Sequence, residues 1–206
     1  MQLNKQTVTI YIVDDDFSVR DSLSMLIEFA GFKVESYESA PLFLEHFDSE
    51  QPACLILDMR MPYMDGLELQ ELLIQKCSAI PIIFISGHGD VPISSKAFRS
   101  GAIDFLEKPF DNALLLERLN EAVKKVLITW PEELKKRRIL ELYENLTQRE
   151  KDVFLLITRN HSSKEAAKNL NISNRTVDIH RANIMKKMQA DSLNTLIVLA
   201  LKSDII

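Results

Sequence analysis

Through residue 126 or so, short apolar runs alternate with stretches whose apolar positions recur every three to four residues. The runs at 8–13, 32–37, 54–57, 80–85 and 102–106 predict β-strands, and several (IYIV, CLIL, IPIIFI) are continuously apolar. Parallel strands covered on both faces require that pattern. The helical spacing predicts helices at 18–30, 40–47, 66–75, 91–100 and 112–127, with Gly31 and Gly101 where C-caps are wanted. Five β-α repeats with right-handed crossovers predict an α/β fold, a five-stranded parallel, doubly wound sheet in a three-layer sandwich.

The pattern changes after residue 127. ITWPEELKKRRILELYENL has no strand character, and Pro131 followed by Glu132 and Glu133 reads as the start of a linker helix running to about Asn145. Everything from 146 to 206 reads as four short helices. Thr147 and Glu150 form a capping box opening the first of these, with Val153, Leu156 and Ile157 on its inner face. Ser162 or Ser163, with Glu165, caps the second. Asn171-Ile172-Ser173 makes a tight turn before a third helix reaching about Gln189, and a fourth spans 193–203. A short helix, a tight turn and a longer helix is the layout of a helix-turn-helix. The expected organisation is therefore a domain at 1–127, a linker helix at 128–145 and an all-α four-helix domain at 146–206.

Charge divides along the same line. Residues 1–127 hold 11 Lys/Arg against 20 Asp/Glu (net −9), whereas residues 128–206 hold 14 against 10 (net +4). Only the second half is suited to meet a polyanion. No apolar run reaches the ~18–20 residues of a membrane span, and the N-terminus lacks the features of a signal peptide. The two cysteines, Cys54 and Cys77, lie in apolar or helical contexts, so reduced thiols and a cytoplasmic location are expected.

In a doubly wound sheet, ligands bind outside the carboxyl ends of the strands, where the strand order reverses. Those ends carry Asp14-Asp15-Asp16, Asp58, Ser86 and Lys108. Singly each has a plainer reading: a solvated acidic turn, a helix cap, two ordinary loops. Together, at four separate strand ends, they describe a site for phosphoryl chemistry. A carboxylate accepting a phosphoryl group needs a nearby divalent cation, and Mg²⁺ takes hard oxygen ligands, one or two of them carboxylates. Asp15 and Asp58 are candidate direct ligands, with Asp14 or Asp16 holding a coordinated water. Lys108 offers an ammonium to one phosphoryl oxygen and Ser86 a hydroxyl to another.

These residues resemble the receiver domain of two-component response regulators: VDDD at 13–16, LDMRMPYMDG at 57–66, ISGHGD at 85–90 and EKPF at 107–110. The resemblance covers residues 8–126 and implies a flavodoxin-like receiver. It implies Asp58 as the phospho-acceptor, Mg²⁺ as the cofactor, Asp15, Asp58 and the Arg60 carbonyl as metal ligands, and Asp14 assisting through water. Ser86 becomes the switch hydroxyl, Lys108 its paired ammonium and Phe105 the aromatic switch residue, although simple core packing explains Phe105 equally well. Arg60 and His88 occupy positions that tune phosphate lifetime, and a cis bond is expected before Pro109.

The C-terminal stretch LTQREKDVFLLI…SSKEAAKNLNISNRTVDIHRANIMKKM resembles the LuxR-type helix-turn-helix, and the whole layout the FixJ/NarL class. Asn160 replaces the Gly that commonly ends the first helix, and Asn tolerates the left-handed conformation. Ala166-Ala167 replaces a bulkier apolar pair, which predicts looser packing. In such motifs the N-terminal half of the third helix enters the major groove. The resemblance places base readers at Asp178, Ile179 and Ala182 and phosphate contacts at Lys164, Arg175, Thr176 and Arg181. Arg181 alternatively reads guanine, Asp178 has the chemistry to accept from cytosine N4, and Lys186 is a further exposed candidate.

The expected protein is a transcription factor switched by a sensor histidine kinase, with promoter DNA as its second partner and no membrane. Phosphorylation is expected to drive homodimerisation through the fourth helix (91–100), fifth strand and fifth helix (112–121) of the receiver. The rival is a Mg²⁺-dependent phosphatase with an Asp nucleophile, which wants a second Asp two residues later; Arg60 stands there. The chain is therefore expected not to be a turnover enzyme.

Overall fold

A computed structural model describes residues 5–75, 80–87 and 101–206. They divide into two compact units, 1–131 and 132–206.

The first unit contains strands β1 (Thr9–Val13), β2 (Lys33–Tyr37), β3 (Ala53–Asp58), β4 (Ile82–Ser86) and β5 (Asp104–Glu107). All pair in parallel, in the order β2-β1-β3-β4-β5. Helices α1 (Phe17–Phe29), α2 (Ala40–His46), α3 (Gly66–Gln75) and the start of α4 (Asn112–Glu144) cover it. The apolar runs alternate between two cores because successive strand side chains point to opposite faces. Ile10, Ile12, Ile56, Ile83 and Ile85 meet Leu23 and Ile27 of α1 and Leu115, Leu119 and Val123 of α4. Tyr11, Leu55, Leu57, Ile82 and Phe84 meet Phe43 of α2 and Leu69 and Leu73 of α3. Every residue of β1, β3 and β4 is buried, while the edge strand β2 exposes Lys33 and Ser36. The helix expected at 91–100 lies outside the described residues, as do Cys77 and His88.

The expected helices at 112–127 and from Pro131 are one element, α4, which carries Pro131 inside it. A proline φ near −65° suits a helix, and the cost, about 3 kcal/mol, comes from the lost N–H and the ring's crowding of the preceding turn. Packing supports the helix on each side of that point: Trp130 lies against the first core, Ile139 lies in the core of the second unit, and Tyr143 packs against that core.

The second unit adds α5 (Gln148–Thr158), α6 (Ser163–Leu170), α7 (Asn174–Lys187) and α8 (Leu193–Lys202). Thr147 and Glu150 form the expected capping box, and Ser162, rather than Ser163, forms a second one with Glu165. Asn160 and Asn171 take left-handed conformations (φ 68° and 54°), where a short polar side chain is tolerated. Ala166 and Ala167 are buried in one cluster with Val177, Ile184 and Met188. Among the described residues no helix is long and apolar enough to cross a membrane.

Candidate functional site

The strand register brings the chemistry-bearing ends to one edge. Val13 pairs with Leu57, Asp58 with Ile85, and Ser86 with Glu107, so Asp14, Asp58, Ser86 and Lys108 leave the sheet together. Backbone bonds fix these ends: the Met59 N–H donates to the Ile85 carbonyl (3.0 Å) and the Lys108 N–H to the Ser86 carbonyl (2.7 Å). The Lys108–Pro109 peptide is cis.

The ammonium of Lys108 joins two carboxylates from neighbouring strands, reaching Asp14 Oδ2 at 2.7 Å and Asp58 Oδ1 at 2.6 Å. Backbone N–H groups hold the other oxygens, Asp16 donating to Asp14 Oδ1 (2.8 Å) and Arg60 to Asp58 Oδ2 (2.7 Å). Asp14, Asp58 and Ser86 are buried, at 0%, 4% and 1% exposure. With both carboxylates charged, two acids against one ammonium leave the cluster with one excess negative charge. Burial pushes the Asp58 carboxyl up from its ordinary value, Lys108 opposes this, and the Asp14 charge adds to the rise. Burial opposes the Lys108 charge too, but the two carboxylates hold its pKa above the ordinary one.

The three successive aspartates separate by role. Asp14 points into the cluster, Asp15 is exposed, and Asp16 caps α1 by accepting from the N–H groups of Ser18 (2.7 Å) and Val19 (3.4 Å). Asp16, an alternative to Asp14 for holding a metal-bound water, is thus committed to the helix. Phe105 is half-buried against the second core, and Arg60, two residues after Asp58, is exposed. Sequence reasoning missed two supports. The Arg20 guanidinium donates to the Asp14 carbonyl at 2.7 Å, and Gly66, opening α3, lies so near that an added Cβ would be 2.5 Å from the Asp58 carbonyl oxygen. The DG step preceding a helical pattern was the available signal for Gly66.

The fit of a magnesium ion rests on the donors. Asp14, Asp15 and Asp58 are hard oxygen ligands, and the buried pair has an uncompensated negative charge, which suits a divalent cation needing one or two carboxylates plus water. Lys108 now bridges that pair, and no group of three or more His, Cys, Asp or Glu among the described residues is gathered to hold an ion.

In the second unit, α7 buries Val177, Ile184 and, beyond its end, Met188, which turns the expected readers outward. Lys164, Arg175, Asp178, Ile179, Ala182 and Lys186 are exposed, and Thr176 and Arg181 are half-buried. The Thr176 hydroxyl lies 2.8 Å from that of the cap residue Ser173, so it also serves the start of the helix. At the other end, Lys187 reaches the buried Glu150 carboxylate at 2.7 Å and the Asn145 carbonyl at 3.2 Å, tying α7 to the capping box of α5.

Comparison with known proteins agrees with both units. The family model for the response regulator receiver domain matches residues 10–120, and that for bacterial regulatory proteins of the luxR family matches residues 144–200. The chain is 40% identical over 195 residues to the response regulator protein TodT of Pseudomonas putida, covering 95% of this chain and 86% of that one. It is 38% identical over 194 residues to the transcriptional regulatory protein FixJ of Bradyrhizobium diazoefficiens, covering 94% and 95%. Among solved structures, it resembles the response regulator StyR (TM-score 0.62, 42% identity, 95% and 99% covered). It also resembles full-length FixJ from B. japonicum (TM-score 0.55, 36% identity, 96% and 98% covered). With a receiver in its first half and a LuxR-type DNA-binding domain in its second, the chain belongs to the response regulators and is a transcription factor of a two-component system.

Proposed function

We propose that Asp58 accepts a phosphoryl group from a partner sensor histidine kinase, and that this modification switches homodimerisation and promoter binding. The observation that carries the reading is the pair of buried carboxylates Asp14 and Asp58, at the ends of adjacent strands β1 and β3, each within 2.7 Å of the half-buried Lys108 ammonium that follows β5. An Asp58 oxygen attacks phosphorus while the bond from phosphorus to the kinase imidazole nitrogen breaks, its electron pair leaving with the imidazole. Lys108 and the Arg60 N–H already touch the carboxylate and are placed to hold charge on the incoming group. Ser86 lies one strand away to donate to a phosphoryl oxygen. Asp15, Asp58 and the Arg60 carbonyl, with Asp14 through water, would hold Mg²⁺, which neutralises the charge gathered by attack and product.

Chemistry stops at the acyl phosphate and its slow hydrolysis, since position 60 offers no second carboxylic acid. In this reading Lys108 must leave one carboxylate when the phosphoryl group arrives, and Ser86 and Phe105 reorient with it. Arg60 and His88 tune the lifetime of the product. The dimer face includes β5 and the start of α4, where Arg118 pairs with Asp104 (2.8 Å) and Glu121 (3.0 Å). On DNA, α7 enters the major groove with Asp178, Ile179 and Ala182 at base edges, while Lys164, Arg175, Thr176 and Arg181 approach phosphates and Lys186 adds charge. A domain this small reads only a short site, so two copies are needed for useful affinity. The domains act as 1–127, a linker at 128–145 and 146–206, in the cytoplasm.

Sedimentation of the wild type and of Asp58→Asn, with Mg²⁺ and with or without beryllofluoride, tests the acceptor. The wild type should pass from monomer to dimer only with both ions, and Asp58→Asn should stay monomeric. Dimerisation of Asp58→Asn under the same conditions would remove Asp58 from the role.

A further inference from the structure

Two serines stand at the start of α6, and the fold uses them differently. Ser162 is the cap, its hydroxyl accepting from the Glu165 N–H. Ser163, one residue on and already helical, is not needed for capping. Its hydroxyl instead crosses to α7, donating to Asp178 Oδ1 at 2.9 Å and accepting from Arg181 Nη1 at 2.7 Å. Only a group that donates and accepts at once can join a carboxylate to a guanidinium in this way.

We infer that Ser163 is a positioning residue for DNA sequence selection, binding Asp178 and Arg181 into one pre-oriented polar unit on the recognition helix. This rests on the DNA-reading role proposed for α7. Asp178 and Arg181 are three residues apart, on one face of that helix. Each is a flexible side chain that a base edge would otherwise have to order on binding. With one carboxylate oxygen occupied by Ser163, Asp178 presents the other to an amino donor such as cytosine N4 or adenine N6. Arg181 keeps its remaining N–H groups for a guanine edge or a phosphate. The bridge therefore couples the choice made at the base pair facing Asp178 to the place where Arg181 lands.

Substitution at 163 separates this role from a structural one. Ser163→Ala leaves the Ser162 cap and the buried core untouched, and Ala is the better helix former, so folding should survive. Ser163→Thr keeps a hydroxyl able to make both bonds. Selection from a pool of duplexes with a randomised central segment defines the preferred site of the wild type. Affinities of the three proteins for that site, for variants at each position and for unrelated duplex follow, across a range of salt.

Ser163→Ala should lose about tenfold in preference at one or two adjacent base pairs, the scale set by one or two ordered hydrogen bonds. Affinity for unrelated duplex and the salt slope should stay close to wild type, because the substitution removes no charged side chain, and Ser163→Thr should recover the preference. Equal weakening on every sequence would show a merely structural role and overturn the inference. An unaltered preference in Ser163→Ala would overturn it as well, leaving the DNA-reading role in place. If the wild type itself selects no sequence, the DNA-reading role and the inference fall together.

Discussion

Gly66→Ala tests the packing around Asp58. A Cβ at Gly66 would lie 2.5 Å from the Asp58 carbonyl oxygen, 2.9 Å from Cε1 of Phe84 and 3.3 Å from Cγ of Leu57. The first of these is backbone, and it cannot swing aside. Phe84 and Leu57 are fully buried, so they have no room either. The start of α3 must therefore move away from β3. That movement stretches the bond from the Gly66 N–H to the Met59 carbonyl, now 3.0 Å, and lifts Leu69 and Leu73 from the core. Overpacking costs about 1–3 kcal/mol and a lost hydrogen bond about 1 kcal/mol. Against this, replacing a helical glycine gains only about 0.5–1 kcal/mol of chain entropy. The net is a loss of about 1–3 kcal/mol, or roughly 3–12 °C in Tm for a unit of this size. Trp130, the single tryptophan, packs against the first core, so its fluorescence follows unfolding of the receiver in the full chain. Asp58 would be displaced as well, so beryllofluoride should bind more weakly. A Tm that is unchanged or raised would mean that α3 and β3 have slack here, and the steric argument would be wrong.

Three further outcomes follow from the same structure. Burial and the Asp14 charge raise the Asp58 carboxyl despite Lys108, so the folded state holds that proton more tightly than the unfolded chain does. Its contribution favours folding at acid pH and is lost as pH rises from the unfolded value, about 3.9, through the folded one. Asp58→Asn should accordingly unfold at higher urea than wild type at pH 7, with the gap closing towards pH 4; a less stable Asp58→Asn at pH 7 would contradict this. Glu150 has the opposite sign: burial opposes its charge, but Lys187 and the Thr147 N–H and hydroxyl hold its pKa below the ordinary glutamate value. Its contribution is present above about pH 4.3 and lost as pH falls through the folded value. Glu150→Gln should cost about 1–2 kcal/mol at pH 7, the lower part of the range for charged bonds because Lys187 is partly exposed. Hydrogen exchange across residues 148–170 measures it, and unchanged protection would count against the network. Finally, burial pushes the Cys54 thiol up to about 12, so alkylation at pH 8 should reach Cys54 only on unfolding; peptide mapping that finds native Cys54 modified would refute its placement.

The sequence alone carried the strand runs and brought Asp58, Ser86 and Lys108 to strand ends. Strands buried on both faces must be apolar along their length, so Asp58 and Ser86, the first polar residues after such runs, mark strand ends; Lys108 stands one residue past Glu107, the end of β5, and in a parallel sheet these ends share one edge. The helix-turn-helix was legible for a related reason, since capping residues and an inner apolar stripe are local in sequence. Local pattern could not assign jobs among chemically equal neighbours. Asp14, Asp15 and Asp16 look alike in the sequence, yet side-chain direction at the end of β1 sends one to Lys108, one to solvent and one to the cap of α1. Ser162 and Ser163 were likewise interchangeable until the approach of α7 gave one a carboxylate and a guanidinium to join. Pro131 read as the start of a helix and lies inside one, because packing on both sides outweighs the hydrogen bond it cannot make. Such choices depend on which distant atoms arrive within about 3 Å of a side chain, and only the tertiary structure decides that.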